Sequence, residues 1–244
     1  MSRINPLARE LSLKLVYYGP GLSGKTTSLR SIHKQVNPTR RGNLLTIQTD
    51  EDRTILFDFL PLHVERIREM SLRFALYTVP GQVFYTATRK LVLNGADGVV
   101  FAADRQLACR DANIQSLADL ESNLQELGID LHTFPLVFQY NKSDLANTMS
   151  QEQMGQDLNR FGAPEFCTDA RGGQGVMAAL KISTKRIVKA ASKTRPRRTA
   201  PLSVPSSPPK SSRPGNGHAA APASGGDNLL TSLYNASQES QDWA

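Results

Sequence analysis

Short apolar runs alternate with amphipathic stretches along the first 193 residues of the chain. Apolar or alternating runs of four to eight residues predict strands, and apolar residues spaced three or four apart predict helices. The predicted strands cover residues 13–18, 44–49, 55–60, 72–79, 98–104, 135–140 and 165–168, and the predicted helices cover residues 27–35, 85–93, 112–127, a segment from Ser150, and 175–193. This alternation is typical of an α/β fold with a mostly parallel, twisted sheet and helices on both faces.

Polar segments separate these elements and suggest some finer detail. Residues 37–43 are predicted to form a loop and residues 50–54 a polar turn. The strands at 55–60 and 72–79 are expected to pair as an antiparallel ribbon at a sheet edge. Ser150, with Gln153 three residues later, predicts a capping box at a helix start.

The composition changes at about residue 194, so the folded domain is expected to cover residues 1–193. Ser, Pro, Ala and Gly dominate residues 194–226, which predicts a disordered linker. Residues 227–244 contain the apolar cluster Leu229, Leu230, Leu233 and Tyr234. Two interpretations of this last segment stay open: a short amphipathic docking helix, or a solvated end with a few apolar residues.

Residues 19–26 fit the phosphate-binding pattern G-x-x-x-x-G-K-[ST], between a predicted strand and a predicted helix. Backbone N–H groups there are expected to surround phosphate oxygens. Lys25 would add positive charge at the β- and γ-phosphates, and Thr26 would offer its hydroxyl to Mg²⁺. The expected phosphate-binding residues are Gly19, Gly21, Leu22, Ser23, Gly24, Lys25, Thr26 and Thr27.

The tetrapeptide Asn141-Lys142-Ser143-Asp144 follows a predicted buried strand and indicates guanine as the base. The Asp144 carboxylate can accept hydrogen bonds from N1–H and N2–H₂ of guanine, a donor pair that adenine lacks. Asn141 can tie this loop to the phosphate loop, and the stem of Lys142 can lie over the ring. The backbone N–H of Ala170, after the strand at 165–168, is expected to reach the guanine O6.

Composition and charge add two constraints. The chain has 244 residues, a formal net charge of +7 and two cysteines in no metal-binding spacing, which favours a cytoplasmic protein with free thiols. No apolar run is long enough to span a membrane, so no integral membrane association is expected. The tail from Arg195 contributes +2 of the charge, and the remaining +5 is assigned to a domain that binds a polyanion. No motif supports specific nucleic-acid binding.

The phosphate loop, the Pro80-Gly81-Gln82 turn and Asn141 to Asp144 together resemble small Ras-like GTPases. More narrowly, residues 1–193 resemble the bacterial MglA group, which governs cell polarity and gliding motility. The stretches that carry this resemblance are residues 16–22, 52–54, 57–62, 77–85 and 139–142. The resemblance covers no part of the tail beyond residue 193.

The resemblance implies roles that the residues alone do not assign. Thr54 would reach Mg²⁺ and the γ-phosphate, and the turn at Gly81 would contact the nucleotide. Arg53 would act as an arginine finger supplied in cis, and Gln82 would orient the attacking water. Without the resemblance, Arg53 is equally consistent with a solvated charge on a loop.

Thr78 stands where most Ras-like proteins carry the aspartate that holds Mg²⁺ through water, four residues before Gln82. A neutral hydroxyl supports the metal more weakly than a carboxylate does. The MglA group shares this substitution. We therefore expect slow intrinsic hydrolysis that depends on a Roadblock-type activating protein.

Three classes of function follow. The first is a hydrolysing GTP/GDP switch whose effectors in polarity or motility bind the GTP form, and which partners would bring to a pole or to the membrane periphery. The second is a module that binds guanine nucleotide without hydrolysing it. The third, a P-loop ATPase or metabolite kinase, is disfavoured by Asn141 and Asp144.

The tail would serve as a tethered docking peptide, or its basic residues 193–198 would contact anionic surfaces.

Overall fold

The computed structural model describes residues 3–5, 10–49, 52–67, 70–81 and 86–193. Within these ranges eight strands form one sheet: β1 (Arg3–Asn5), β2 (Glu10–Tyr18), β3 (Leu45–Thr49), β4 (Asp52–Ile67), β5 (Met70–Thr78), β6 (Gly98–Asp104), β7 (Leu136–Asn141) and β8 (Glu165–Thr168). The order across the sheet is β3-β4-β5-β2-β6-β7-β8, and β1 pairs with β2. Pairings from β5 through β8 are parallel, whereas β3, β4 and β5 pair antiparallel.

Five helices cover the two faces of this sheet: α1 (Lys25–Gln35), α2 (Thr86–Leu93), α3 (Arg110–Glu126), α4 (Gln151–Leu158) and α5 (Val176–Lys193). Helices α1 and α5 pack on one face, over the side chains of Leu13, Leu15 and Tyr17 in β2. Helices α2, α3 and α4 pack on the other, over Val16 and Tyr18. The predicted α/β fold with helices on both faces is confirmed.

The central strands form where continuous apolar sequence allows burial on both sides. Every residue of β6 and β7 is buried, because helices cover both faces of the sheet there. Parallel strands have their carboxyl ends at the same edge, so the residues that follow β2, β6 and β7 lie at one edge of the sheet. Ligands bind at this edge in open α/β sheets.

Several local predictions are confirmed. The two long antiparallel strands, β4 and β5, pair as expected, and β3 adds a further strand outside them. Ser150 caps α4 with a complete capping box: its hydroxyl accepts from the Gln153 N–H, and the Gln153 side chain accepts from the Ser150 N–H. Both cysteines, Cys109 and Cys167, are free.

One local prediction is wrong, and one strand was not predicted. The polar turn expected at residues 50–54 is replaced in part by strand, because β4 begins at Asp52 and runs for 16 residues to Ile67. The pairing of β4 with β3, which sets Asp52 opposite Thr49, makes this polar stretch strand, and local composition does not reveal it. Strand β1 was not predicted at all, since only its pairing with Glu10, Leu11 and Ser12 defines it.

The predicted linker of residues 194–226 and the predicted docking segment of residues 227–244 lie outside the described residues. No helix within the described ranges has both the length and the apolar character that crossing a bilayer requires.

Candidate functional site

The loop between β2 and α1 has the backbone geometry that anion binding requires. Gly24 caps the N-terminus of α1 with a φ of 95°, and Leu22 has a φ of 60°. A Cβ atom on Gly24 would lie 2.1 Å from Nδ2 of Asn141, so no larger residue fits there. Leu22 is 92% exposed, whereas Ser23 is fully buried. The loop therefore presents its backbone N–H groups at a helix N-terminus, where partial positive charge favours phosphate.

The Lys25 side chain lies inside this loop rather than in solvent. Its ammonium donates to the carbonyl oxygens of Gly19 at 2.8 Å and Pro20 at 2.6 Å. The pKa of Lys25 is lowered to about 7, mainly by burial and also by the positive charge of Arg89, while Asp58 opposes this shift. The ammonium is therefore held next to the position expected for phosphate, in surroundings that favour its neutral form.

This low pKa predicts that phosphate binding is linked to proton uptake. Phosphate oxygens beside Lys25 would raise its pKa again, because an opposite charge favours the ammonium. At pH 8.5 the free protein holds Lys25 mostly neutral and the complex holds it charged, so binding should take up close to one proton. Nucleotide affinity should then fall as the pH rises from about 7 towards 10, by up to tenfold per pH unit.

Calorimetric titration with GDP at pH 8.5, in two buffers of different ionisation enthalpy, measures this uptake directly. Lys34→Met removes an exposed lysine from the same helix and should leave the uptake unchanged. Identical binding enthalpies in both buffers would show that binding takes up no proton and would contradict this prediction.

A buried carboxylate that sequence analysis did not assign lies beside Thr26. Asp58, in β4, is 4% exposed and its Oδ2 accepts hydrogen bonds from the hydroxyls of Thr26 at 2.6 Å and Thr78 at 3.1 Å. Its Oδ1 accepts from the Thr46 hydroxyl at 3.0 Å, and its backbone N–H donates to Thr78 Oγ1 at 2.8 Å. The Asp58 carboxylate thus brings together Thr26 and Thr78, two of the predicted metal residues.

The signal for Asp58 in the sequence was a single charged residue inside an otherwise apolar strand, Ile55 to Leu60. Burial of a carboxylate costs free energy unless it is hydrogen-bonded or binds a metal. A carboxylate and a hydroxyl oxygen are hard ligands of the kind that Mg²⁺ prefers. Thr26 gives its hydrogen to Asp58 and keeps its oxygen lone pairs for a metal, so these residues fit the expected ion.

The turn after β5 lies directly against the phosphate loop. A Cβ atom on Gly81 would be 2.4 Å from the backbone nitrogen of Gly21, so only glycine allows this approach. The backbone N–H of Val79 donates to the carbonyl of Tyr17, which fixes the start of the turn on β2. Gly81 therefore lies against the phosphate loop, and its contact with the nucleotide stays a prediction.

Asn141, at the end of β7, joins three parts of the site. Its Nδ2 donates to the Ser23 carbonyl at 2.8 Å, and its Oδ1 accepts from the Thr168 hydroxyl at 3.1 Å and the Ala170 N–H at 3.0 Å. The predicted tie between the Asn141 loop and the phosphate loop is therefore present. The N–H of Ala170, expected to reach a base oxygen, is instead engaged by Asn141, so that role would require this bond to be shared or broken.

Lys142 is held by a second buried carboxylate that sequence analysis did not assign. Lys142 has a φ of 69°, and its ammonium lies 2.5 Å from Oδ2 of Asp104, which is 1% exposed. Asp104 also accepts from the Gln106 backbone N–H at 3.0 Å and is fixed by two hydrogen bonds between its backbone and the Asn113 side chain. Asp144, two residues after Lys142, is exposed at the same edge.

The structure does not test every predicted site residue. Arg53 and Thr54 are the second and third residues of β4, but their side chains are outside the described part of the structure. Gln82 lies wholly outside the described residues. Thr27 follows Thr26 in the first turn of α1 and is half-buried.

Comparison with known proteins completes the description of the site. The chain is 50% identical over 188 residues to the mutual gliding-motility protein MglA of Myxococcus xanthus strain DK1622, an alignment that covers 77% of this chain and 96% of that protein. A scan against models of protein families gave no match.

Proposed function

The chain belongs to the MglA family of small Ras-like GTPases, and from that premise we propose that it is a molecular switch that binds GTP and GDP with Mg²⁺ and hydrolyses GTP. The relative's name associates it with gliding motility, and we extend a role in motility or cell polarity to this chain. Its expected partners are a Roadblock-type activating protein and effectors that bind the GTP form.

The phosphate end of the nucleotide would be bound by the loop from Gly19 to Gly24 and the first turn of α1. Backbone N–H groups there would donate to the phosphate oxygens. Lys25 would exchange its bonds to the Gly19 and Pro20 carbonyls for bonds to phosphate, which explains why its ammonium is held inside the loop. The close contact of Gly81 with Gly21 would bring the turn at Pro80 and Gly81 within reach of the γ-phosphate.

Mg²⁺ would be held by the hydroxyls of Thr26 and, in the GTP state, Thr54. In this account Asp58 supplies the carboxylate that Thr78 cannot, and Thr78 serves by fixing Asp58 through two hydrogen bonds. When bound, Mg²⁺ neutralises the negative charge that develops on the phosphates. Thr78, which the sequence suggested as a weak substitute for a metal-binding aspartate, would therefore support the Asp58 carboxylate on the neighbouring strand.

The base end would be bound by Asp144, with Lys142 over the ring. The observation that supports a nucleotide site most directly is the 2.8 Å hydrogen bond from Asn141 to Ser23, because it holds the base loop at a fixed distance from the phosphate loop. Asp104 pairs with the Lys142 ammonium and so fixes its side chain. The hydrogen bond from Asn141 to Ser23 would couple release of the base to weaker binding of the phosphates.

A competition between nucleotides tests this proposal. Fluorescent GDP bound to the full chain should be displaced by GTP at a concentration at least about 10³-fold lower than by ATP, since adenine would leave the Asp144 carboxylate unpaired. Asp144→Ala should lose most of this preference, whereas Glu152→Gln, which neutralises an exposed acid on α4, should keep it. Equal displacement by ATP and GTP would restore the P-loop ATPase or kinase alternative.

A further inference from the structure

The two helical layers of the domain carry opposite charge. Helices α1 and α5 contain eight Lys and Arg residues and no Asp or Glu. Helices α2, α3 and α4, on the other face of the sheet, contain six acidic and three basic residues. The basic surplus of these helices therefore lies on the α1–α5 side of the sheet.

The same asymmetry is visible along the sequence. Residues 170–226 contain eleven Lys and Arg residues and no acidic residue, whereas residues 1–169 contain eighteen basic and nineteen acidic residues. The assignment of the domain's surplus charge to a polyanionic ligand is therefore wrong in its main part. Most of the surplus lies on α5, and a nucleotide site at the strand ends does not account for it.

The basic side chains of this layer are available to a partner. The exposed ones are Arg30 and Lys34 on α1 and Lys181, Lys185, Arg186 and Lys189 on α5. The ion pairs found in the described part of the chain include none of them. Lys181, Lys185 and Lys189 recur every fourth residue, so they form one line about 12 Å long on the helix.

The chemistry of this layer favours a diffuse anionic surface over a protein partner. Protein interfaces are organised around apolar or aromatic anchors. The four large apolar side chains exposed among the described residues are Leu22, Leu107, Ile114 and Leu145, and none of them belongs to α1 or α5. The layer also offers no exposed aromatic residue on which bases could stack, which single-stranded nucleic acid would use.

We propose that the α1–α5 layer is a docking face for an anionic phospholipid bilayer. Clusters of four to eight basic residues on a helix bind such surfaces by charge alone, and each residue adds to the attraction. Docking through this layer would leave α2, α3 and α4 facing away from the lipid. Partners that recognise the GTP form could then bind while the protein remains on the membrane.

Vesicle sedimentation with the full chain tests this face. The chain should bind vesicles with one third phosphatidylglycerol in phosphatidylcholine, and it should not bind pure phosphatidylcholine. Lys185→Gln with Lys189→Gln should lower the vesicle partition coefficient at least about tenfold. The matched control, Arg110→Gln with Arg160→Gln, removes the same charge from exposed sites on the acidic side and should change it less than twofold.

Thermal unfolding of each variant checks that the fold is intact, independently of nucleotide. Equal losses in the two double variants would show that only net charge matters and would overturn the proposal. It would also be overturned if the α5 variant bound like wild type while deletion of residues 195–244 abolished binding, since the tail would then be the membrane contact. Displacement of the protein from vesicles by an RNA duplex at equal phosphate concentration would assign the face to nucleic acid instead.

Discussion

Arg53→Ala is expected to lower the single-turnover rate of GTP hydrolysis by the full chain on the order of 10³-fold. An arginine at the γ-phosphate neutralises charge that develops in the transition state, a contribution of about 10³–10⁵ in rate for this class of reaction. Because that charge is largest in the transition state, GTP affinity should change little. Arg53 occupies β4 near its start.

Two further variants define this result. Arg53→Lys keeps the charge but loses the planar fork of donors, so its rate should be intermediate. Arg30→Ala removes an exposed arginine from α1 and should hydrolyse GTP as the wild type does. Gln82→Leu should be slow for a different reason, the loss of the group that orients water. Wild-type rates in both Arg53→Ala and Gln82→Leu would remove the catalytic roles assigned to these residues.

Asp58→Asn is expected to raise the Mg²⁺ concentration required for half-maximal hydrolysis by about 10- to 100-fold, the range typical when a group that supports a metal site is changed. The amide preserves the size of the side chain and can still accept from Thr26, but it lacks the negative charge. A titration of hydrolysis against Mg²⁺ concentration measures the shift. The GDP affinity measured without Mg²⁺ serves as the test of folding.

A carboxylate returned on the neighbouring strand provides the control for Asp58. Asp58 on β4 and Thr78 on β5 share two hydrogen bonds. Asp58→Asn combined with Thr78→Asp therefore moves the negative charge from β4 to the adjacent strand. We expect this double variant to recover most of the Mg²⁺ dependence. Removal of the Thr46 hydroxyl, which bonds the other carboxylate oxygen, should have a smaller effect. Unchanged Mg²⁺ dependence in Asp58→Asn would exclude Asp58 from the metal site.

The parts of the site that the sequence predicted are those that short motifs define. The phosphate loop follows β2 directly, and Asn141 ends β7, so a parallel sheet necessarily brings them to the same edge. The hydrogen bond from Asn141 to Ser23 follows from this placement. These positions needed only the order of the strands, not their exact register.

The carboxylates at Asp58 and Asp104 could not be assigned in this way, because each depends on pairing across the chain. Asp58 faces Thr26 only because β4 pairs with β5 in the register that aligns Phe59 with Tyr77. Asp104 reaches Lys142 because β6 and β7 align their last residues, Asp104 and Asn141. A charged residue at the end or middle of an apolar strand is visible in sequence, but its partner is set by register.

The long strand β4 and the basic α1–α5 layer also depend on contacts between distant parts of the chain, which the sequence alone does not reveal. Residues 52–54 are polar enough to predict a turn, and only the pairing of β4 with β3 makes them strand. The basic residues of α1 and α5 are separated by about 150 positions in the chain, so their common face is recognised only when the helices pack together.

A single-turnover assay of the purified wild-type chain with GTP tests the central claim most directly. With Mg²⁺ present, bound GTP should be converted to bound GDP more slowly than about 1 s⁻¹, at the low end of ordinary enzyme rates, and chelation of Mg²⁺ should suppress the conversion. Bound ATP should give no comparable signal. No conversion of GTP over many hours would make the chain a nucleotide-dependent scaffold, and conversion faster than this rate without a partner would contradict a switch that depends on an activator.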